Sequence, residues 1–541
     1  MLGLMMGEQL TITSLMRHAQ SINGDSEIVS VTHDNPRHRY TQTECYRRAG
    51  QLAHALNKLG LKEGEVVGTL AWNDYRHMEA YYGVACMGAV CHTINPRLFP
   101  EQLVYIINHA EDRFLLVDPM FVPLVEAIES SLPNLEAVIV MAGENSMPET
   151  KLKKVYCYET IIESESSNYS WPDLNENTAC SLCYTSGTTG NPKGVLYSHR
   201  ALVLQSYACC LGEGMGLSAK DTALPIVPMF HVNAWNVPYS AALAGFKIVF
   251  PGAKMGDGEA LCELINEESV DYSVGVPTVW LTLLNYLREN DKKIPSMKRV
   301  GVGGSACPLS IMKEFEESHG VETITGWGMT EMAPLGSFNT LKRPRQEYSQ
   351  EEYDDLRVRS GRQVFGVQMK IVDENDQDLP WDGQAFGALK VRGPWVVERY
   401  FKHEETALDE NGWFDTGDVA TINQDGVMTI TDRTKDVIKS GGEWISSIDL
   451  ENCAMGHSDV AEAAVIGIAH PKWDERPLLI VVRVAGSTVS GEDILQFMDG
   501  KIAKWWTPDE VTFVDELPHT ATGKIHKLKL REQFSDYSFS A

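Results

Sequence analysis

Residues Tyr184–Val195 read YTSGTTGNPKGV, with Thr185, Ser186, Thr188 and Thr189 set among Gly187, Gly190 and Gly194, and Lys193 behind Pro192. Such a loop is built to wrap phosphate. Glycine lets the backbone take positive φ and approach an oxyanion closely, freed N–H groups and hydroxyls donate hydrogen bonds, and the lysine adds a point charge. The short apolar run 179–184 reads as a buried strand feeding the loop. A Walker loop needs Gly-Lys followed at once by Ser or Thr. Here Pro192 precedes the lysine and Gly194 follows it, so that reading fails. A Ser/Thr/Gly surface turn without a ligand has the same composition and stays open on this stretch alone.

The stretch resembles the signature loop of the adenylate-forming superfamily, which takes in acyl-CoA synthetases, luciferases and peptide-synthetase adenylation domains. The resemblance implies that ATP binds through Thr185, Ser186, Gly187, Thr188, Thr189, Gly190 and Lys193.

Composition fits that expectation. At 541 residues the chain can build more than one hydrophobic core. Hydrophobic residues at 43% and charged residues at 22% are those of a globular protein. The net charge of -27 argues against a nucleic-acid binder or an anionic-membrane surface, so basic groups for ATP or CoA must be gathered locally. Eleven cysteines without a framework read as reduced thiols. Cys180 and Cys183 lie within the apolar run, where residues three apart point to opposite faces of a strand, which speaks against a redox or zinc pair. The N-terminus lacks a basic signal-peptide region, and no apolar stretch approaches a membrane span. These features predict a cytoplasmic enzyme.

Upstream of the loop, residues 41–59 open on a cap box from Thr41 to Glu44 and read as a helix closed by Gly60. Strands at 66–71, 89–94 and 114–117 alternate with helices at 74–87 and 100–109, which predicts βαβ units and parallel sheet. The polar segment 141–177 reads as a surface connection. Downstream come a helix at 200–211, strands at 273–277 and 299–304, a solvated acidic face at 345–357, and strands of a smaller β unit at 368–372 and 387–391. Lys527, Lys529 and Arg531 read as a solvated basic face. The expected fold is α/β, with a large N-terminal domain, 1–434, of mixed α/β sheets with a small β unit. A small mobile α+β C-terminal lid, 435–541, follows a hinge near Lys435.

Ligands collect at strand ends in open α/β sheets. That marks Gly303, Gly304 and Ser305, whose glycines let a flat base or acyl chain lie against backbone. In Gly326, Trp327, Gly328, Met329, Thr330 and Glu331, the Thr330 hydroxyl suits the α-phosphate and the Glu331 carboxylate suits Mg²⁺, with Thr185 assigned to the same metal. Asp418, in a TGD turn, can accept hydrogen bonds from both ribose hydroxyls. His231 among apolar residues reads as a packed core histidine, whereas the resemblance puts it beside the acyl site. The resemblance puts Trp235 where the acyl channel narrows, and a core tryptophan is the alternative. DRTKDVIKSGGEWIS resembles the family's hinge and the loop beyond it. Arg433 would face ribose or phosphates, Lys435 the pivot and Lys439 the second half-reaction. Gly441, Gly442, Glu443 and Trp444 would lie toward the CoA thiol. Lys524 fits the lysine that contacts the carboxylate and the α-phosphate during adenylation.

The implied chemistry has two steps. A carboxylate is a poor acyl donor because hydroxide leaves poorly, and joining it to AMP supplies a better leaving group. Carboxylate and Mg-ATP give acyl-AMP and pyrophosphate, then the CoA thiol displaces AMP. Lys524, Lys439, Glu331, Thr185 and His231 form the expected catalytic set, and His231, Trp235, Gly303, Trp327 and Gly328 the expected acyl contacts. A peptide-synthetase domain would be followed by a carrier domain, so CoA is the expected acceptor. A nucleotide-binding regulator that had lost chemistry would lack one of Lys193, Glu331, Asp418 or Lys524, and all are present. Overall likeness is to the fatty acyl-CoA synthetase branch, and within it to ligases of 3-methylmercaptopropionate. Trp235 and Trp327 near the proposed acyl site predict a short apolar pocket, with a medium- or long-chain fatty acid as the alternative substrate. The resemblance also implies a homodimer.

Overall fold

Strands that are apolar throughout are buried on both faces, as a parallel sheet between helices requires. The computed structural model describes residues 1, 3–185, 191–441, 443–519 and 525–539, leaving aside the side chains of residues 443 and 444. Val66–Leu70 is buried at every position. It lies inside a seven-stranded sheet ordered Val155–Cys157, Ala137–Val140, Asp112–Val117, Val66–Leu70, Val90–Thr93, Ala179–Tyr184, Gly194–Ser198. Neighbours run parallel except the last two, which pair antiparallel with Tyr184 opposite Gly194. The phosphate loop therefore links a hairpin at the sheet's edge.

The expected helices form where their caps lie. Gln42–Lys58 starts on the Thr41/Glu44 capping box, Tyr75–Cys86 on Asp74, and Pro100–Ala110 carries proline in its first turn. In a thirteen-stranded sheet, parallel strands Thr222–Pro225, Tyr272–Gly275, Arg299–Val302 and Glu322–Gly328 give way at Leu335–Phe338 to antiparallel ones. The expected small β unit, with Gln368–Val372 and Phe386–Arg392, is the antiparallel end of this sheet rather than a separate body. Beyond Val427–Arg433 pairing passes to a five-stranded sheet that includes Ile438–Ser440, Val460–His470 and Asp474–Arg483. It has its own core around Ile438, Leu450, Val465 and Leu479.

Three expectations are corrected. The connection 141–177 holds the strand Val155–Cys157 and the helix Tyr158–Glu163. Tyr158 is fully buried and donates to Glu79 Oε2 at 2.7 Å, while Glu159 pairs with Arg48 and Arg76. Elements this short carry no periodicity to read. The acidic face at 345–357 contains the helix Gln350–Arg357, capped by Ser349 and Glu352, which buries Tyr353 and Arg357; Arg357 pairs with Glu316 and Asp354. The basic face at 527–531 is not solvated as a whole, because Lys527 pairs with Glu451 at 2.8 Å and Arg531 with Asp436 at 2.8 Å, while Lys529 is exposed.

The cysteines are free thiols. Cys180 donates to the Tyr197 carbonyl, Cys183 lies against the Thr93 hydroxyl, and burial pushes both thiol pKa values up. Among the described residues no helix is long and apolar enough to cross a membrane.

Candidate active site

The phosphate hairpin is closed at its neck. The Thr185 N–H donates to the Lys193 carbonyl at 2.9 Å, and the Lys193 N–H donates to Thr185 Oγ1 at 3.2 Å, which leaves the hydroxyl its own proton to donate. Ser186, Gly187, Thr188, Thr189 and Gly190 lie outside the described residues. At the exit, a Cβ on Gly194 would meet Phe401, Leu182 and Tyr184 at 3.1–3.2 Å, so these side chains pack closely on the hairpin's exit.

Glu331 faces this neck from the turn Thr330–Met332, which follows the strand Glu322–Gly328. Tyr197 donates its hydroxyl proton to the Thr330 carbonyl. Glu331 is only 9% exposed; burial pushes its carboxyl pKa up, partly opposed by a hydrogen bond from Tyr400 and by the charges of Arg433 and Lys193. A buried carboxylate is costly unless it is paired or coordinates a cation. Among the described residues no cluster of three His, Cys, Asp or Glu could cage a metal. A cation at Glu331 would thus depend on one carboxylate, substrate phosphates and water, as Mg²⁺ does.

Asp418 was expected in a turn, but the structure puts it inside the strand Phe414–Ile422, opposite Arg433. Its Oδ2 accepts from Trp327 Nε1 at 2.9 Å and its Oδ1 pairs with Arg433 Nε at 2.8 Å. Trp327 is thereby tied to the Asp418–Arg433 pair, and its indole lies over Gly336, where a Cβ would come within 2.6 Å.

Trp235 covers Gly303. A Cβ there would stand 2.9 Å from the indole Cη2 and 3.0 Å from the Gly326 carbonyl. Gly304, at φ +84°, turns the chain away after the strand Arg299–Val302, and Ser305 is exposed. Gly328 lies against the Pro334 carbonyl, which also accepts from the Met329 N–H. His231 lines a narrow cavity with Thr93, Asn95, Tyr184, Thr185 and Phe230, so histidine and phosphate loop share one space.

Some of these features gave no sequence signal. Val232, Asn233, Ala234, Trp235 and Asn236 all have φ between 46° and 66°. Left-handed backbone costs roughly 1–2 kcal/mol per residue, most awkwardly for β-branched Val232. Side chains hold the turn: Asn233 Oδ1 accepts from Ser181 at 3.2 Å, and Asn236 Nδ2 donates to Ser206 Oγ at 2.8 Å and the Leu202 carbonyl. Tyr400 was also missed, since ERYFKH offers no pattern that points at Glu331. Arg97, stacked 5.9 Å from the Trp72 ring centroid, adds a cation near the cavity residues Asn95 and Leu98.

On the five-stranded sheet, the Lys439 N–H donates to Glu475 Oε2 at 2.9 Å, and Gly441, at φ +61°, donates its N–H to the Trp473 carbonyl at 2.8 Å. Lys435 follows the last strand of the thirteen-stranded sheet and precedes the strand Ile438–Ser440, and partial desolvation and the charges of Arg433 and Arg531 lower its pKa. Gly442 and Lys524 lie outside the described residues, as do the side chains of Glu443 and Trp444.

A model of the AMP-binding enzyme family matches residues 17–401, and one of the AMP-binding enzyme C-terminal domain matches residues 449–524. A 3-methylmercaptopropionyl-CoA ligase of Ruegeria lacuscaerulensis is 50% identical over 536 residues, covering 99% of each chain. A medium-chain-fatty-acid–CoA ligase of Ectopseudomonas oleovorans is 49% identical, over 99% of this chain and 98% of its own. Among solved structures, ATP-bound MatB from Rhodopseudomonas palustris shares the fold with a TM-score of 0.83 at 24% identity, over 97% of this chain and 99% of that one. Matched over most of its length by the family model and end to end by these ligases, the chain belongs to the AMP-binding enzymes and is an AMP-forming acid–thiol ligase.

Proposed function

We propose that the chain activates a short aliphatic acid, 3-methylmercaptopropionate, with ATP and Mg²⁺, and transfers it to CoA through acyl-AMP. The observation that carries the short-acid reading is Trp235 lying on Gly303, where on this reading a longer acyl chain would have to pass. The relative from Ruegeria lacuscaerulensis supports the choice of acid. The similarly identical relative from Ectopseudomonas oleovorans favours a second reading, a medium-chain acid reached when Trp235 turns aside.

In the first step the α-phosphorus must meet the acid carboxylate in line while charge builds on its oxygens. Lys193 and the Thr185 hydroxyl would hold the phosphates, and Thr330 the α-phosphate side. Glu331, with Thr185, would hold Mg²⁺, which supplies charge neutralisation on the phosphates. Asp418 already carries Trp327 and Arg433, but a carboxylate offers about four acceptor positions, so ribose hydroxyls can share it. His231 would orient the acid next to Thr185. In the second step the domain beyond residue 434 would turn about Lys435, replacing Lys524 with the face of Lys439 and Gly441. The change of sheet between Val427–Arg433 and Ile438–Ser440 supports a boundary there. We place the enzyme in the cytoplasm, as a homodimer.

Trp235→Ala tests the pocket. Its best kcat/KM should move from acids of about four to six heavy chain atoms to longer ones, by at least tenfold or so for an eight-carbon acid relative to 3-methylmercaptopropionate, since each methylene in an apolar pocket is worth roughly 10–200-fold. An unchanged chain-length profile would place the acyl group elsewhere.

A further inference from the structure

We infer that Tyr400 is a positioning residue for adenylation, acting through Glu331 and Lys193 at once. The inference rests on the reading of Glu331 as the metal-side carboxylate. The Tyr400 hydroxyl donates to Glu331 Oε1 at 2.9 Å, and the Lys193 ammonium stands over the same ring, 4.7 Å from its centroid. One side chain thus fixes the anion at its hydroxyl and the cation on its face.

The backbone around Tyr400 is anchored to the same two elements. The Val397 N–H donates to the Glu331 carbonyl at 2.8 Å, and the Phe401 N–H to the Gly194 carbonyl at 2.8 Å. The Phe401 ring packs edge-on against His109, and His109 Nδ1 lies 2.7 Å from the Tyr184 hydroxyl, at the strand that enters the loop. Residues 397–401 therefore strap the Glu331 turn to the exit of the phosphate hairpin.

This geometry has a chemical consequence. A hydroxyl fixed on Oε1 stops the carboxylate from rotating and directs its remaining acceptor positions, as outer partners do for metal-binding carboxylates. The ring face holds Lys193 by cation–π attraction, a contact that leaves its N–H groups able to donate to phosphate. A direct Lys193–Glu331 ion pair would instead spend each charge on the other.

The test uses Mn²⁺ as the probe, with α,β-methylene-ATP as a nucleotide that cannot react, and bound Mn²⁺ read by electron paramagnetic resonance on the full chain. Tyr400→Phe keeps the ring and loses the hydroxyl. It should weaken Mn²⁺ binding about 10–100-fold, the range seen when outer partners of metal ligands are removed, and add nothing in a Glu331→Gln background. Tyr400→Leu, which also removes the ring, should further weaken binding of the nucleotide alone. If Glu331→Gln leaves Mn²⁺ affinity unchanged, the metal reading itself fails. If Glu331→Gln weakens Mn²⁺ while Tyr400→Phe stays within twofold or so of the parent, Tyr400 does not position the carboxylate. Equal nucleotide affinity in the Phe and Leu variants would remove the ring's part.

Discussion

Lys524→Ala is expected to slow acyl-AMP formation about 10²–10³-fold, the loss that follows removal of one preorganised donor from a developing oxyanion. Conversion of supplied acyl-AMP and CoA to thioester should fall far less. The reason lies in the proposed turn about Lys435: a lysine that contacts the carboxylate and the α-phosphate in the first step has left the site, with the face of Lys439 in its place, before the thiol expels AMP. In the sequence on either side of Lys524, His519 and Ile525 bridge each other, and the His526 N–H donates to the Pro518 carbonyl at 2.7 Å. The check is pyrophosphate release on mixing ATP and acid, against thioester formation from synthetic acyl-AMP. Equal losses in both would refute the division of labour between Lys524 and Lys439.

Lys527→Met should cost about 3–5 kcal/mol of stability, the range for removing one partner of a buried ion pair. Lys527 Nζ lies 2.8 Å from Glu451 Oε1 and also meets the Ser447 hydroxyl. Asp432 Oδ2 accepts from both the Ser447 N–H, at 2.7 Å, and its hydroxyl, at 2.6 Å. Burial works against the lysine's charge, but Glu451, Asp432 and Asp436 more than offset it, and its pKa is raised. Methionine would fill the space and leave Glu451 and Asp432 without their cation. Denaturant unfolding should therefore show an earlier midpoint for the C-terminal sheet, and Lys527→Met with Glu451→Leu should recover part of the loss. A Lys527→Met loss below about 1 kcal/mol, the value of an exposed pair, would show that the cluster is hydrated.

How much was legible follows from the range of each signal. The capping box at Thr41, the helix starts at Asp74 and Pro100, and the apolar strands were readable because local sequence decides them. YTSGTTGNPKGV and GWGMTE marked the site because phosphate and cation chemistry demand a narrow set of residue types. Pairing across long sequence distances was not readable. Nothing in ERYFKH indicates that Tyr400 reaches Glu331, and nothing in the run KIHKLKLR indicates that Lys527 turns inward to Glu451 while Lys529 faces solvent. The left-handed turn at 232–236 was hidden for a related reason. It contains no glycine, and its strain is borne by contacts of Asn233 and Asn236 with helix and strand residues distant in sequence.

The most direct measurement is AMP release by purified protein with ATP, Mg²⁺ and CoA, over acids from propionate and butyrate through 3-methylmercaptopropionate to palmitate. The highest kcat/KM is expected at about four to six heavy chain atoms, with 3-methylmercaptopropionate at or near the top and each added methylene beyond the pocket costing activity. A preference for palmitate would contradict it, making Trp235 a movable gate rather than the pocket's wall.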